Sequence, residues 1–365
     1  GYKSAVTGLP SPLTQGHRRG VVDGMEVIEI DVPYANALGF MARIRIFLRF
    51  AWHACLLALR ERYDIIFATT TPLTVAIPGI LARWLRSKRF VFEVRDLWPE
   101  LPKAMGVIKN PVILWAMGAL EWAAYHSAYR IIGLAPGMVD GIARRGIPRE
   151  RITMIPNGCD RDLFEGNGEA WRPDGIPSDA LLAVYAGTHG LANGLNAVLD
   201  AAAELNRRGR DDIYILLIGD GKLKPALQQR VANEGLSHVI FHSPVAKEKL
   251  SGLMKSTDIG LQILANVPAF YDGTSPNKFF DYLAAGVPVL VNYPGWVTNL
   301  VESNACGFVV PPEDATRFAD ALEHAADTRA TLTAMRPASR SLAREFDRTL
   351  LADQFVDWLE GASQG

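Results

Sequence analysis

Apolar residues along this chain fall into short β-branched runs separated by stretches of helical spacing, the alternation expected of parallel sheets covered on both faces. In the first half the runs 3–7, 25–32, 65–69, 90–94, 130–134 and 152–155 read as strands. In the second half strands are expected at 182–186, 213–218, 239–242, 259–264, 287–291 and 308–310. Between the halves, 165–178 holds Gly, Asn and Pro without apolar period, which marks a boundary. The pattern predicts an α/β protein with two Rossmann-like, doubly wound domains, at 1–165 and 179–340. The Ala/Leu/Glu-rich tail reads as helices, the last of which (341–365) is expected to return to the first domain.

Two helical stretches bear on surroundings. In the first, about 40–62, Arg45, Arg49, His53 and Arg60 share one stripe flanked by apolar arcs. That pattern suits a sheet-covering helix whose arginines snorkel to water, or a helix set against an anionic membrane. The second, 111–129, is apolar but is interrupted by Glu121 and His126, so it reads as a buried helix with a lipid-facing side rather than a span.

Composition narrows the partners. The 365 residues are 49% hydrophobic and 21% charged with a formal net charge of −1, which gives room for two cores and no bias toward nucleic acid. Cys55, Cys159 and Cys306 lie far apart, with no pairing or metal-ligand spacing, and no export signal is apparent. A cytoplasmic location, peripheral at the membrane, is the expectation.

The candidate chemistry concentrates in GTSPNKFFDYLAAGVPVLVN, residues 273–292. Thr274 or Ser275 is placed to cap a helix with Pro276 in its first turn, and Gly286 to stop it before a buried strand. Lys278 in that first turn opposes the helix dipole unless an anion is bound there, and Asp281 follows on the same face. Pairing of the two in water is the competing reading. In FEVRDLWPE, Arg95 and Asp96 stand at a strand's carboxyl edge, where open α/β sheets bind ligands. Asp96 could orient or deprotonate a hydroxyl and Arg95 hold a phosphate, or the two could form a strand-end ion pair. GLAPGM (133–138) and IPNGCD (155–160) read as turns, with Asn157 and Gly158 permitting a tight one. YAGTHG supplies Gly187 and Gly190 for close backbone approach to a ligand, although the spacing is not a dinucleotide fingerprint. IGDG (218–221) and HSPVAKEKL (242–250) are further strand exits on the same edge, so one cleft should collect them.

FEVRDLWPE, APGM, IPNG, YAG and SPNKFFDYLAAGVPV, in this order and at this spacing, resemble the family-4 glycosyltransferases of GT-B fold, and within them the bacterial surface-polysaccharide branch typified by N-acetyl-L-fucosamine transferases. The resemblance implies a retaining transfer from a nucleotide diphosphate sugar, with a UDP-sugar as the expected donor, onto a lipid-diphosphate-linked or saccharide acceptor at the cytoplasmic membrane face, without a cofactor or required metal. It puts Gly187 and Thr188 by the diphosphate, and Gly219, Pro244 and Val245 by the base and ribose. Thr274, Ser275, Asn277 and Lys278 would hold phosphates and sugar, with Asp281 on the ribose. Lys278, Asp96 and Arg95 form the expected catalytic set; Arg45, Arg49, His53 and Arg60 face membrane and acceptor. The sequence departs from the family pattern at Gly273, where a Glu is usual, at Arg95, where a His is frequent, and at Asn193, where a Lys is expected. A catalytically silent nucleotide-sugar-binding subunit and a nucleotide-sugar epimerase are the rival functions. The resemblance begins at the family's second strand, so the first domain is expected to lack its first β-α unit, with a gap or re-pairing between 3–7 and 65–69.

Overall fold

A computed structural model describes residues 9, 16–32, 39–166 and 168–364. Its first sheet is an antiparallel hairpin, β1 (His17–Val22) with β2 (Met25–Ile30), turning at Asp23 and Gly24, whose φ values are +50° and +79°. The sequence expectation of 25–32 as a strand of the parallel sheet is thereby corrected. Asp-Gly between two β-prone runs favours a two-residue hairpin turn, which pairs β2 with its own neighbour. The run 3–7, and with it the expected gap beside 65–69, lies outside the described residues.

The first domain continues with α1 (Phe40–Arg60), β3 (Ile65–Thr69), α2 (Ala76–Arg86), β4 (Arg89–Val94), α3 (Glu100–Ala104), α4 (Pro111–Ser127), β5 (Arg130–Gly133), α5 (Pro136–Arg144), β6 (Ile152–Met154) and α6 (Arg161–Glu165). Strands β3-β4-β5-β6 form a parallel sheet in that order. Alternate residues of β4 serve opposite faces: Phe90 and Phe92 pack with Tyr125 and Ile131, whereas Val91 packs with Ile132 and Leu351. Both faces being covered explains why β4 reads as a continuous apolar run.

The second domain comprises β7 (Leu181–Ala186), α7 (Asn196–Arg207), β8 (Ile213–Ile218), α8 (Lys224–Glu234), β9 (Val239–His242), α9 (Lys247–Lys255), β10 (Ile259–Gln262), α10 (Asn277–Ala284), β11 (Val289–Val291), α11 (Trp296–Ser303), β12 (Gly307–Val309), α12 (Ala315–Asp327) and α13 (Arg329–Ala343). Its parallel sheet runs β9-β8-β7-β10-β11-β12, a doubly wound order that reverses between β7 and β10. A crevice opens outside the strand ends at such a reversal. Two clusters of buried side chains, one on each face, seal this sheet.

A last helix, α14 (Arg348–Gln364), crosses back to the first domain. The Phe355 ring meets Phe67 edge-on at 5.0 Å, and Arg130 Nη1 donates to the Trp358 carbonyl at 2.7 Å. At the crossing the chain is tied to its earlier passage: Cys159 N–H donates to Phe346 O at 2.9 Å and Arg348 N–H to Cys159 O at 3.0 Å.

Candidate active site

Three strand exits of the first sheet converge on the short segment that precedes α10. Gly137, in the first turn of α5 after β5, donates its N–H to Asp272 O at 2.8 Å. Asn157, after β6, donates its backbone N–H to Ser275 Oγ at 2.9 Å and its side-chain amide to Ser275 O at 2.5 Å. Arg95, after β4, donates to Asn157 Oδ1 at 3.3 Å and lies 3.5 Å from Glu93. The carboxyl edges of both sheets therefore meet here. Asn157 and Gly158 do more than turn the chain: neither has a positive φ, and a Cβ on Gly158 would stand 2.6 Å from Phe346 O.

On the second-domain side the cleft has two lobes that share Ala186, Gly187, Thr188 and Leu250. One, about 320 Å³, is bounded by Asn193, Asn277, Lys278 and Asp281; the other, about 350 Å³, by Gly219, Asp220, Pro244 and Val245. Gly187, Thr188, Gly219, Pro244, Val245, Asn277, Lys278 and Asp281, all expected at one site, thus line one continuous cleft at the topological reversal. Glycine is required at two of its corners. A Cβ on Gly219 (φ +146°) would fall 1.9 Å from Gly187 O, and one on Gly187 (φ +157°) 2.8 Å from Lys278 Cε.

Helix α10 carries Lys278 into the cleft because its other side chains anchor it. Phe279, Phe280, Tyr282, Leu283 and Ala284 are buried, and Gly286 at φ +67° ends the helix. The Tyr282 hydroxyl accepts from Ala186 N–H at 2.9 Å and donates to Val184 O at 3.1 Å, fixing the helix to the end of β7. Lys278 is left with its ammonium 4.9 Å from the Tyr185 ring centroid, and among the described residues no carboxylate pairs with it. Burial pushes its pKa down to about 8, since no anion offsets the lost hydration. Asp281 does not pair with Lys278: it lies 3.3 Å from Lys247, and burial raises its pKa against that attraction.

The expected capping is corrected. The N-cap position falls on Pro276, and no side chain caps α10. Thr274 Oγ1 donates to Phe270 O at 3.0 Å, within its own segment, and Ser275 Oγ accepts from Asn157 across the domain junction; both lie outside the residues that bound the two lobes. The helix start is accordingly open. Gly273 is closely packed: a Cβ there would lie 2.6 Å from Ala269 O, so this backbone excludes the Glu usual at that position. Asp96 is half-buried and accepts from Thr71 Oγ1 at 2.8 Å; burial raises its pKa, while Thr71 and Arg95 act in the opposite sense. Among residues the sequence reading passed over, Lys247 bridges Asp281 and Asp160, at 3.3 and 2.6 Å, across the domain junction. Its position at the start of an amphipathic helix carried no signal of that role.

Away from the cleft, Arg45, Arg49 and Arg60 are exposed on α1 and His53 is half-buried. The same helix exposes Met41, Leu48 and Trp52. Helix α2 packs between α1 and α4 and exposes Trp84 and Leu85, while α4 exposes Val112, Trp115 and Trp122. Among the described residues no helix is long and apolar enough to cross a membrane.

Residues 4–158 match the glycosyl transferase 4-like domain and residues 181–328 the glycosyl transferases group 1 domain. The chain is 25% identical over 226 residues to alpha-D-kanosaminyltransferase of Streptomyces kanamyceticus, across 60% of this chain and 56% of that protein. It is 23% identical over 224 residues to the putative colanic acid biosynthesis glycosyltransferase WcaL of Escherichia coli K12, across 60% and 53%. The matches thus span about half the length of these curated relatives. Among solved structures, the Anabaena protein HepE in complex with UDP superposes with a TM-score of 0.67 at 16% identity, covering 89% of this chain and 84% of that one.

Proposed function

From the premise that this chain belongs to the family-4 glycosyltransferases of GT-B fold, we propose that its two-lobed cleft takes a UDP-sugar and transfers the sugar, with retention, to a lipid-linked saccharide in surface-polysaccharide synthesis. The observation that carries the proposal is Lys278: a half-buried cation without a carboxylate partner, at the uncapped start of α10, between lobes suited to a nucleoside and a sugar. A diphosphate spanning the shared wall at Gly187 and Thr188 meets that ammonium and the open backbone N–H groups together. In the transfer, the bond from the sugar's anomeric carbon to the diphosphate oxygen breaks and the diphosphate keeps the electron pair. The acceptor oxygen forms the new bond, and its proton passes to the carboxylate of Asp96. Lys278 contributes most in the transition state, where charge builds on the leaving oxygen. Asp281, oriented by Lys247, meets the ribose from the lobe it shares with Lys278, Arg95 serves the acceptor side, and no metal is required.

The fucosamine-transferase branch, the cytoplasmic location and the lipid-linked acceptor rest on the sequence resemblance and on the outer face of α1, α2 and α4. Exposed tryptophans beside arginines are the side chains that suit an anionic membrane interface. The description of WcaL as a putative colanic acid biosynthesis glycosyltransferase accords with a polysaccharide product. A second reading, a catalytically silent nucleotide-sugar-binding subunit, is favoured by Gly273, where no side chain can enter to hold the sugar. UDP release measured with UDP-sugars, with and without lipid-linked acceptor, separates the two. Release only when acceptor is present supports transfer; tight UDP binding with no release in either case leaves the silent subunit.

A further inference from the structure

At the end of α10 opposite Lys278 lies a second cavity, about 500 Å³, whose charged lining is Arg161, Lys255, Arg336, Arg340, Arg344 and Glu165. In a chain of net charge −1, five cations against one carboxylate is a local concentration.

Internal partners satisfy part of it. Arg161 pairs with Glu165 at 3.0 Å and Asp347 at 3.5 Å, which also uses the carboxylate of the lining. Lys255 donates to the carbonyls of Gly166 and Gly168 at 2.6 and 2.8 Å. Arg336 donates to Thr257 O at 2.9 Å and Gly286 O at 3.5 Å, closing the carboxyl ends of α9 and α10. Carbonyls orient these cations without neutralising them. Asp258 attracts Arg336 but is already paired with Arg329 at 3.0 Å. Arg340 and Arg344 are exposed, and among the described residues neither is paired with a carboxylate. Positions 336, 340 and 344 follow one another at four-residue spacing on one side of α13 and its continuation, where like charges repel. Gly286 draws Arg340 close, since a Cβ there would lie 2.6 Å from its Nε.

We propose that this cavity is a binding site for a phosphoryl anion of at least two negative charges, gripped by the guanidinium forks of Arg340 and Arg344 with Arg336 and Lys255 behind them. Planar guanidinium groups match phosphate oxygens two at a time, and convergent ones relieve their mutual repulsion by sharing the anion. The volume exceeds that of inorganic phosphate, so a diphosphate, a phosphorylated metabolite or a phospholipid headgroup fits the chemistry. The site is separate from the donor cleft and does not depend on the transferase reading.

Isothermal titration of the full chain with sodium pyrophosphate tests it, using wild type, Arg340→Ala/Arg344→Ala and Lys278→Ala. Both arginines are exposed, so the double variant should fold. It should lose affinity by about tenfold or more, while Lys278→Ala keeps a pyrophosphate site. A double variant that titrates like wild type, or pyrophosphate binding that vanishes with Lys278→Ala alone, overturns the proposal. Sedimentation with phosphatidylglycerol vesicles identifies the source. Vesicle binding weakened in the double variant assigns the site to a headgroup, and unchanged vesicle binding with weakened pyrophosphate affinity assigns it to a soluble phosphorylated compound. UDP affinity, read separately across the same variants, reports on the donor cleft.

Discussion

The two domains bury their sheets differently. In the second, side chains from α7 to α13 cover both faces of six strands, and the cleft is cut into an otherwise sealed body. In the first, one face of a four-stranded sheet is covered by a helix borrowed from the chain's end, and the outer helices leave tryptophans at 56–74% exposure. Stability and ligand geometry are thus concentrated in one half, and surface chemistry in the other. Substitutions of the same size should have opposite consequences in the two halves.

The largest expected difference is between Phe280 and Trp115. Phe280 is fully buried against Phe279, Trp296 and Phe346, so Phe280→Ala should cost about 3–5 kcal/mol in denaturant unfolding. Next in size, Lys278→Met should lower turnover by about 10²–10³-fold. The same variant should raise the stability of the ligand-free protein at neutral pH, because it removes a half-buried charge that no anion offsets. The sign follows from the depressed pKa. Between about 8 and 10.5 the unfolded chain binds a proton at this lysine that the folded chain does not, so wild-type stability should rise with pH across that window and the variant's should rise less. Thermal melts from pH 7 to 10.5 read this directly. Tyr282→Phe strands the Ala186 N–H and should cost about 1–3 kcal/mol, together with weaker UDP binding as the end of β7 loosens. Trp115→Ser should leave stability within about 0.5 kcal/mol. It should still reduce binding to anionic vesicles, and equal binding would remove the membrane role from that face.

The same contrast explains what could be read from the chain. Parallel strands buried on both faces are runs of Val, Ile and Leu, as in Leu181–Ala186 and Ile213–Ile218, and they stand out unaided. Gly187 was legible because close approach demands glycine there, whereas Gly219 was legible only as part of a glycine turn after a strand. Lys278 was legible because it violates a helix rule. The roles of Thr274 and Ser275 were not, since a hydroxyl before a helix looks the same whether it caps the helix, bonds back to its own segment or bonds to a distant domain. Met25–Ile30 carried β propensity without saying which neighbour it would pair with; Asp23-Gly24 held that information. Asn157 and Lys247 depend on the approach of two domains, and such long-range pairings leave no local trace.

The return of α14 to the first domain has a mechanical result. The chain passes between the domains twice, once between Glu165 and Leu181 and again at Asp347, and the second passage is hydrogen-bonded to Cys159 beside the first. Two adjacent tethers behave as a door's paired pins, where one would behave as a swivel: they permit swinging about the line through them and resist twisting across it. A protease cut within the exposed stretch at Glu169 and Ala170 would sever one tether and leave the halves joined by the other alone, free to swivel about it.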